Sequence, residues 1–114
     1  MTTADRRAHV RVDPLGQIVA HSVWRLQPLH LRELSETGFS LESMGPFDPD
    51  AIHKFRIGLD GSGRSVIVQA RACHTTVVKA AGGLAIHVTG FELVHAGDRV
   101  RREILALLRF VEEF

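Results

Sequence analysis

Two small groups of residues have types and spacings that suit chemistry. Near the start of the chain, in RRAHVR, Arg6, Arg7 and Arg11 with His9 make a short cationic arm, and Arg7 and Arg11 stand in an R-x-x-x-R spacing. A planar guanidinium holds a phosphate through two parallel charge-assisted hydrogen bonds, so the arm suits a small anion. Positions 12 to 32 separate it from the second group, Glu33, Ser35 and Gly38, which follow an E-x-S-x-x-G order. An ionised carboxylate only accepts hydrogen bonds, a hydroxyl donates and accepts, and a glycine lets backbone turn or approach with no Cβ in the way. Taken alone, Ser and Gly here need no ligand, because both are favoured in hairpin turns.

The second group must be positioned by a hairpin. Pro28 opens it; Leu29 and Leu31 alternate with His30 and Arg32, Gly38 breaks the run, and Phe39 and Leu41 alternate with Ser40 and Glu42. Alternation of period two marks half-buried strands, so the stretch reads as strand, tight turn, strand. Residues 1–12 carry no clear period and read as a flexible basic arm, and 13–114 as the folded domain.

The remaining chain continues in the same style. Gln17 to Trp24 reads as a first strand, with Trp24 packed in the core or at an end of the sheet. The loop MGPFDPD, 44–50, is followed by strands over 52–59, 65–79 and 84–94, separated by glycine turns at 60–63 and 81–83. Gly90 interrupts the last strand and marks a bulge or a close backbone approach. From Asp98, read as an N-cap, the period changes to about 3.6. Val100, Ile104, Leu107, Leu108 and Val111 then form one apolar stripe of a helix over 98–113, with Arg101, Arg102, Arg109 and Glu112 facing away. Successive hairpins with one wet face and a terminal helix argue for a mainly β protein: an antiparallel sheet curled into a small barrel, which removes exposed edges.

Composition excludes several classes. At 114 residues, with 45% hydrophobic and 24% charged residues, the chain is one ordinary globular domain. A formal net charge of +1 does not suit a protein that holds nucleic acid polymers by bulk charge, and 6% aromatics with no Tyr provide no platform for a single strand. Cys73 is the one cysteine, which excludes an internal disulfide and fits a reducing compartment. No apolar run is long enough for membrane insertion, and MTTADRRAHV lacks the apolar core of a signal peptide; the expected location is cytoplasmic. No G-x-S-x-G elbow, Walker loop or paired-carboxylate cleft is found, so no enzyme is expected. Seven histidines invite a metal reading, with His53, His74 and His87 at inward or edge positions of their strands. Only Cys73 and His74 approach metal spacing, and neighbours on a regular strand point to opposite faces; no metal is expected.

Arg7, Arg11, Ser35 and Gly38, in this order and spacing, resemble the motifs of the PilZ domain family: R-x-x-x-R, then Asp or Asn-x-Ser-x-x-Gly. Glu33 departs, standing where that family has Asp or Asn. The resemblance spans nearly the whole chain. It implies a six-stranded antiparallel split barrel with a C-terminal helix, and a bacterial second-messenger receptor that binds cyclic di-GMP and relays the signal to a protein effector. It also implies ligand contacts from Arg6, Arg7, Arg11, Glu33, Ser35 and Gly38, with no further cofactor. Two arginines suit the phosphates and the O6 and N7 acceptors of guanine, and a carboxylate suits the adjacent N–H donors of its Watson–Crick edge. The extra methylene of Glu33 displaces that carboxylate by up to about 1.5 Å, where misplacement of about 1 Å can cost a hundredfold. The alternative is therefore a degenerate member of the family that binds no nucleotide and acts as a protein-interaction module.

Overall fold

The structure, a computed structural model, describes residues 18–23, 28–59, 63–79 and 82–112. The arginine arm, Trp24 and the turn residues 60–62 lie outside the described residues. Six strands follow in order: β1 (Ile18–Ser22), β2 (Pro28–Leu34), β3 (Gly38–Ser43), β4 (Ile52–Leu59), β5 (Ser65–Lys79) and β6 (Ala85–Val94). The helix α1 (Asp98–Glu112) comes last. All pairings are antiparallel, in the order β1-β2-β3-β6-β5-β4, and β4 returns to β1 so that the barrel closes.

The alternation of the sequence becomes the inner and outer faces of this barrel. Ile18 and Ala20 of β1, Phe39 and Leu41 of β3, Phe55 and Ile57 of β4, and Val68, Ala70 and Ala72 of β5 are all buried. Four phenylalanines organise the interior: Phe39 stacks on Phe91 with ring centroids 5.2 Å apart, and Phe55 meets Phe91 edge-on at 4.9 Å. Phe47, from the connection between β3 and β4, inserts its ring against Phe91 at 5.1 Å and Phe55 at 5.8 Å. That connection must cross from β3 to a strand that does not pair with β3, and burial of one large ring anchors the crossing.

At the other end of the β3–β6 pair, β6 runs into α1. The Arg101 amide donates to the Gly97 carbonyl at 3.2 Å, which puts Gly97, not Asp98, at the cap. Asp98 instead lies in the first turn, where a carboxylate complements the positive helix end. Ile104, Leu107 and Leu108 are buried in the barrel core, Val100 packs against it, and Arg101, Arg102 and Arg109 are exposed. No helix among the described residues is long and apolar enough to cross a membrane.

Two irregularities break the pleat. In β2 the register shifts between Leu31 and Glu33, so Arg32 and Glu33 both turn outward while Leu31 and Leu34 remain inside. In β5 it shifts between Ala72 and His74, leaving Cys73 as the extra residue. Beyond this second bulge β5 is exposed through Lys79 and, among the described residues, pairs only with β6, because β4 ends its pairing at Arg71.

Candidate functional site

The turn that carries the acid, hydroxyl and glycine is built by its serine. Ser35 is 6% exposed, and its amide donates to the Gly38 carbonyl at 2.8 Å. Its Oγ accepts from the amides of Thr37 at 3.3 Å and Gly38 at 3.2 Å, the local side-chain-to-backbone pattern that fixes a tight turn. The same hydroxyl lies 3.2 Å from both the Gly38 carbonyl and Thr37 Oγ1, either of which can take its proton.

Gly38 is required by proximity. Its φ is not in the left-handed region, unlike those of Gly63, Gly82 and Gly83, but a Cβ there would stand well under 3.0 Å from the Phe91 carbonyl oxygen. The neighbouring Thr37 carbonyl accepts from the Leu93 amide at 3.0 Å, so the turn is drawn tightly onto β6.

From this corner a row of directly opposed residues crosses four strands. Glu33 on β2 faces Ser40 on β3, Ser40 faces Gly90 on β6, and Gly90 faces His74 on β5. The Ser40 hydroxyl donates to Glu33 Oε1 at 3.4 Å. Above this row lies a cavity of about 220 Å³, lined by Glu33, Ser35, Gly38, Ser40, Cys73, His74 and Gly90 together with the core residues Leu34, Phe39 and Phe91. Ser40 and Gly90 are small, and that hollows the middle of the row between the acid and the imidazole.

Three of the expected site residues, Glu33, Ser35 and Gly38, therefore line one cavity. Arg6, Arg7 and Arg11 lie outside the described residues. Cys73 and His74 were expected on opposite faces of a regular strand; the bulge turns both outward to line the same cavity. The Cys73 thiol lies 3.5 Å from the Arg71 carbonyl and 4.0 Å from Glu92 Oε2. His53 meets Phe47 edge-on at 5.2 Å, and His87 is half-buried. Among the described residues no group of three or more His, Cys, Asp or Glu gathers as metal ligands do. Ser40, Cys73 and His74 are the polar lining side chains that sequence spacing missed; the signal for them was Gly90, which announces a close approach without saying from which strand.

The fold is a closed six-stranded antiparallel barrel with a terminal helix, and a cavity opens at its β2–β3 turn. The PilZ domain family model matches residues 5–110, and the chain belongs to that family. No curated protein matches by sequence. Among solved structures, K. pneumonia MrkH in complex with c-di-GMP is similar with a TM-score of 0.72 and 14% identity, over 92% of this chain and 51% of that one. MrkH in its apo state gives 0.72 and 12%, over 91% of this chain and 50% of that one, so the chain spans about half the length of the MrkH structures. The PilZ domain of YcgR from Escherichia coli with c-di-GMP gives 0.64 and 17%, over 95% of each chain. At such identities these likenesses speak for the fold.

Proposed function

We propose that this protein is a cyclic di-GMP receptor, a binding protein and not a catalyst, which grips the dinucleotide between the arginine arm and the cavity at the β2–β3 turn. The observation that carries the reading is the convergence of Glu33, Ser35 and Gly38 on one cavity of about 220 Å³. Family membership supports it, as do the c-di-GMP complexes known for MrkH and YcgR. The cavity is smaller than the roughly 300–1,000 Å³ typical of drug-sized ligand sites. It takes part of the ligand, and Arg7 and Arg11, with Arg6 beside them, hold the rest from outside.

In this reading the Glu33 carboxylate accepts from the Watson–Crick edge of a guanine, and the guanidinium groups pair with phosphates and the Hoogsteen edge. Ser35 acts mainly by shaping the turn. The bound arm alters the surface, and a protein effector reads the alteration.

Calorimetry of the full chain with cyclic di-GMP in low salt is the test. Heat of binding is expected from the wild type and none from the Arg7→Ala, Arg11→Ala double variant. No heat at high micromolar ligand refutes the proposal. The degenerate reading, a protein-interaction module without nucleotide, rests on the longer side chain of Glu33. It is favoured if Glu33→Asp gains affinity that the wild type lacks.

A further inference from the structure

We infer that His74 is the stacking platform of this cavity, on which one guanine of the bound dinucleotide lies flat. The inference rests on the reading of the cavity as a nucleotide site and adds the residue that would recognise a planar base there.

The bulge at Cys73 is what brings His74 to the cavity. In an unbroken strand Cys73 would share the outer face and His74 would follow Ala72, which is 3% exposed, on the side away from it. With one residue inserted, His74 pairs with Gly90, stands on the outer face and is exposed. Gly90 then determines how the ring sits. A Cβ built on Gly90 would lie 2.5 Å from Cε1 of His74, 3.0 Å from Nε2 and 3.1 Å from Nδ1. Three ring atoms so nearly equidistant from one point require the imidazole to lie almost face-on over the glycine.

The ring is thus seated low over the Gly90 backbone, and the exposed residue lines the cavity there. No other residue type at position 90 would let the ring lie so low. The row from Glu33 through Ser40 and Gly90 to His74 supplies the remainder of the arrangement. A flat surface stands at one end, an acceptor for base N–H groups at the other, and small residues lie between. Bases stack on aromatic rings irrespective of their hydrogen-bonding edges, and the carboxylate contributes the preference for guanine.

The experiment is calorimetry with cyclic di-GMP on the full chain, comparing wild type with His74→Ala, His74→Phe and Gly90→Ala, with circular dichroism and thermal melts as controls on folding. His74→Ala is expected to weaken binding about tenfold, equivalent to roughly 1.4 kcal/mol, with an unchanged melt because the side chain is exposed. His74→Phe, which keeps a flat face and loses both nitrogens, is expected to bind within about threefold of wild type. Gly90→Ala keeps the histidine but lifts its ring, and is expected to lose as much as His74→Ala. In NMR titrations the His74 Hε1 resonance should move upfield under the ring current of the stacked base.

If the wild type binds and His74→Ala binds equally well, or if His74→Phe fails to restore affinity, the platform is overturned while the receptor reading stands. If the Hε1 resonance does not move at saturation, the platform is overturned as well. No heat from the wild type refutes the receptor reading itself, and the platform falls with it.

Discussion

Replacing Gly38 by alanine separates what this motif residue does for the fold from what it does for a ligand. A Cβ at this position meets the Phe91 carbonyl oxygen of β6 well inside 3.0 Å, and that obstacle is backbone, which no rotamer change removes. The β3–β6 pair must open locally by about 1 Å, where paired strands normally stand roughly 4.7–4.9 Å apart. Overpacking of this kind costs about 1–3 kcal/mol. The hydrogen bond from the Leu93 amide to the Thr37 carbonyl, 3.0 Å long, stretches with it and forfeits about 1 kcal/mol more. Restricting the unfolded chain returns about 0.4–1 kcal/mol. The net expectation is a loss of about 2 kcal/mol, or a melting temperature lower by roughly 10 °C in a domain of this size. Urea unfolding without ligand should show a lower midpoint at an unchanged slope. A midpoint equal to that of the wild type would refute the argument, and any loss of binding by Gly38→Ala would then be a ligand effect alone.

Other outcomes follow from the same contacts. Ser35→Ala removes the acceptor for two turn amides and should cost about 1–2 kcal/mol in urea unfolding, with ligand absent. Phe55→Ala empties the centre of the ring cluster, where Phe55 is fully buried, and should lower stability by about 3–5 kcal/mol in the same assay. His87 Nδ1 is buried with no hydrogen-bond partner among the described residues. His87→Leu should therefore raise stability by about 1 kcal/mol, seen as a melt higher by roughly 4–8 °C.

The fold was legible in the sequence wherever a single strand's own alternation decides the matter. The strands 52–59 and 65–79 have the bounds that the sequence marks: the barrel core buries one face of the first, and of the second as far as Ala72, beyond which the strand runs on exposed and paired with β6. The hairpin 28–43 was equally plain, with Ser35 fixing the turn that its position suggests. What the chain concealed were the bulges. An inserted residue such as Arg32 or Cys73 is defined only by the partner strand it fails to match, and neither partner's register is written beside it. Hence Cys73 and His74 were expected back to back, and both, with Ser40, were passed over as site residues. The helix cap moved by one residue for a smaller reason: Asp98 suits the first turn through its charge as well as it would suit the cap. Barrel closure also depended on more than local pattern, since β1 meets β4 only in three dimensions.

That last pairing has a kinetic consequence. β1 lies between β2, which follows it directly, and β4, whose paired residues come 33 to 41 positions later, with Ser22 opposite Phe55 and Ile18 opposite Leu59. Forming this seam closes a loop that contains the β2–β3 hairpin and the Phe47 crossing. Distant pairings of this sort slow folding, placing small β domains in the millisecond-to-second range. Pulsed hydrogen exchange during refolding should accordingly show β1 acquiring amide protection after the β5–β6 hairpin, whose pairs are closer in sequence. A ribosome that has released only β1 to β3 holds a chain with no seam to close.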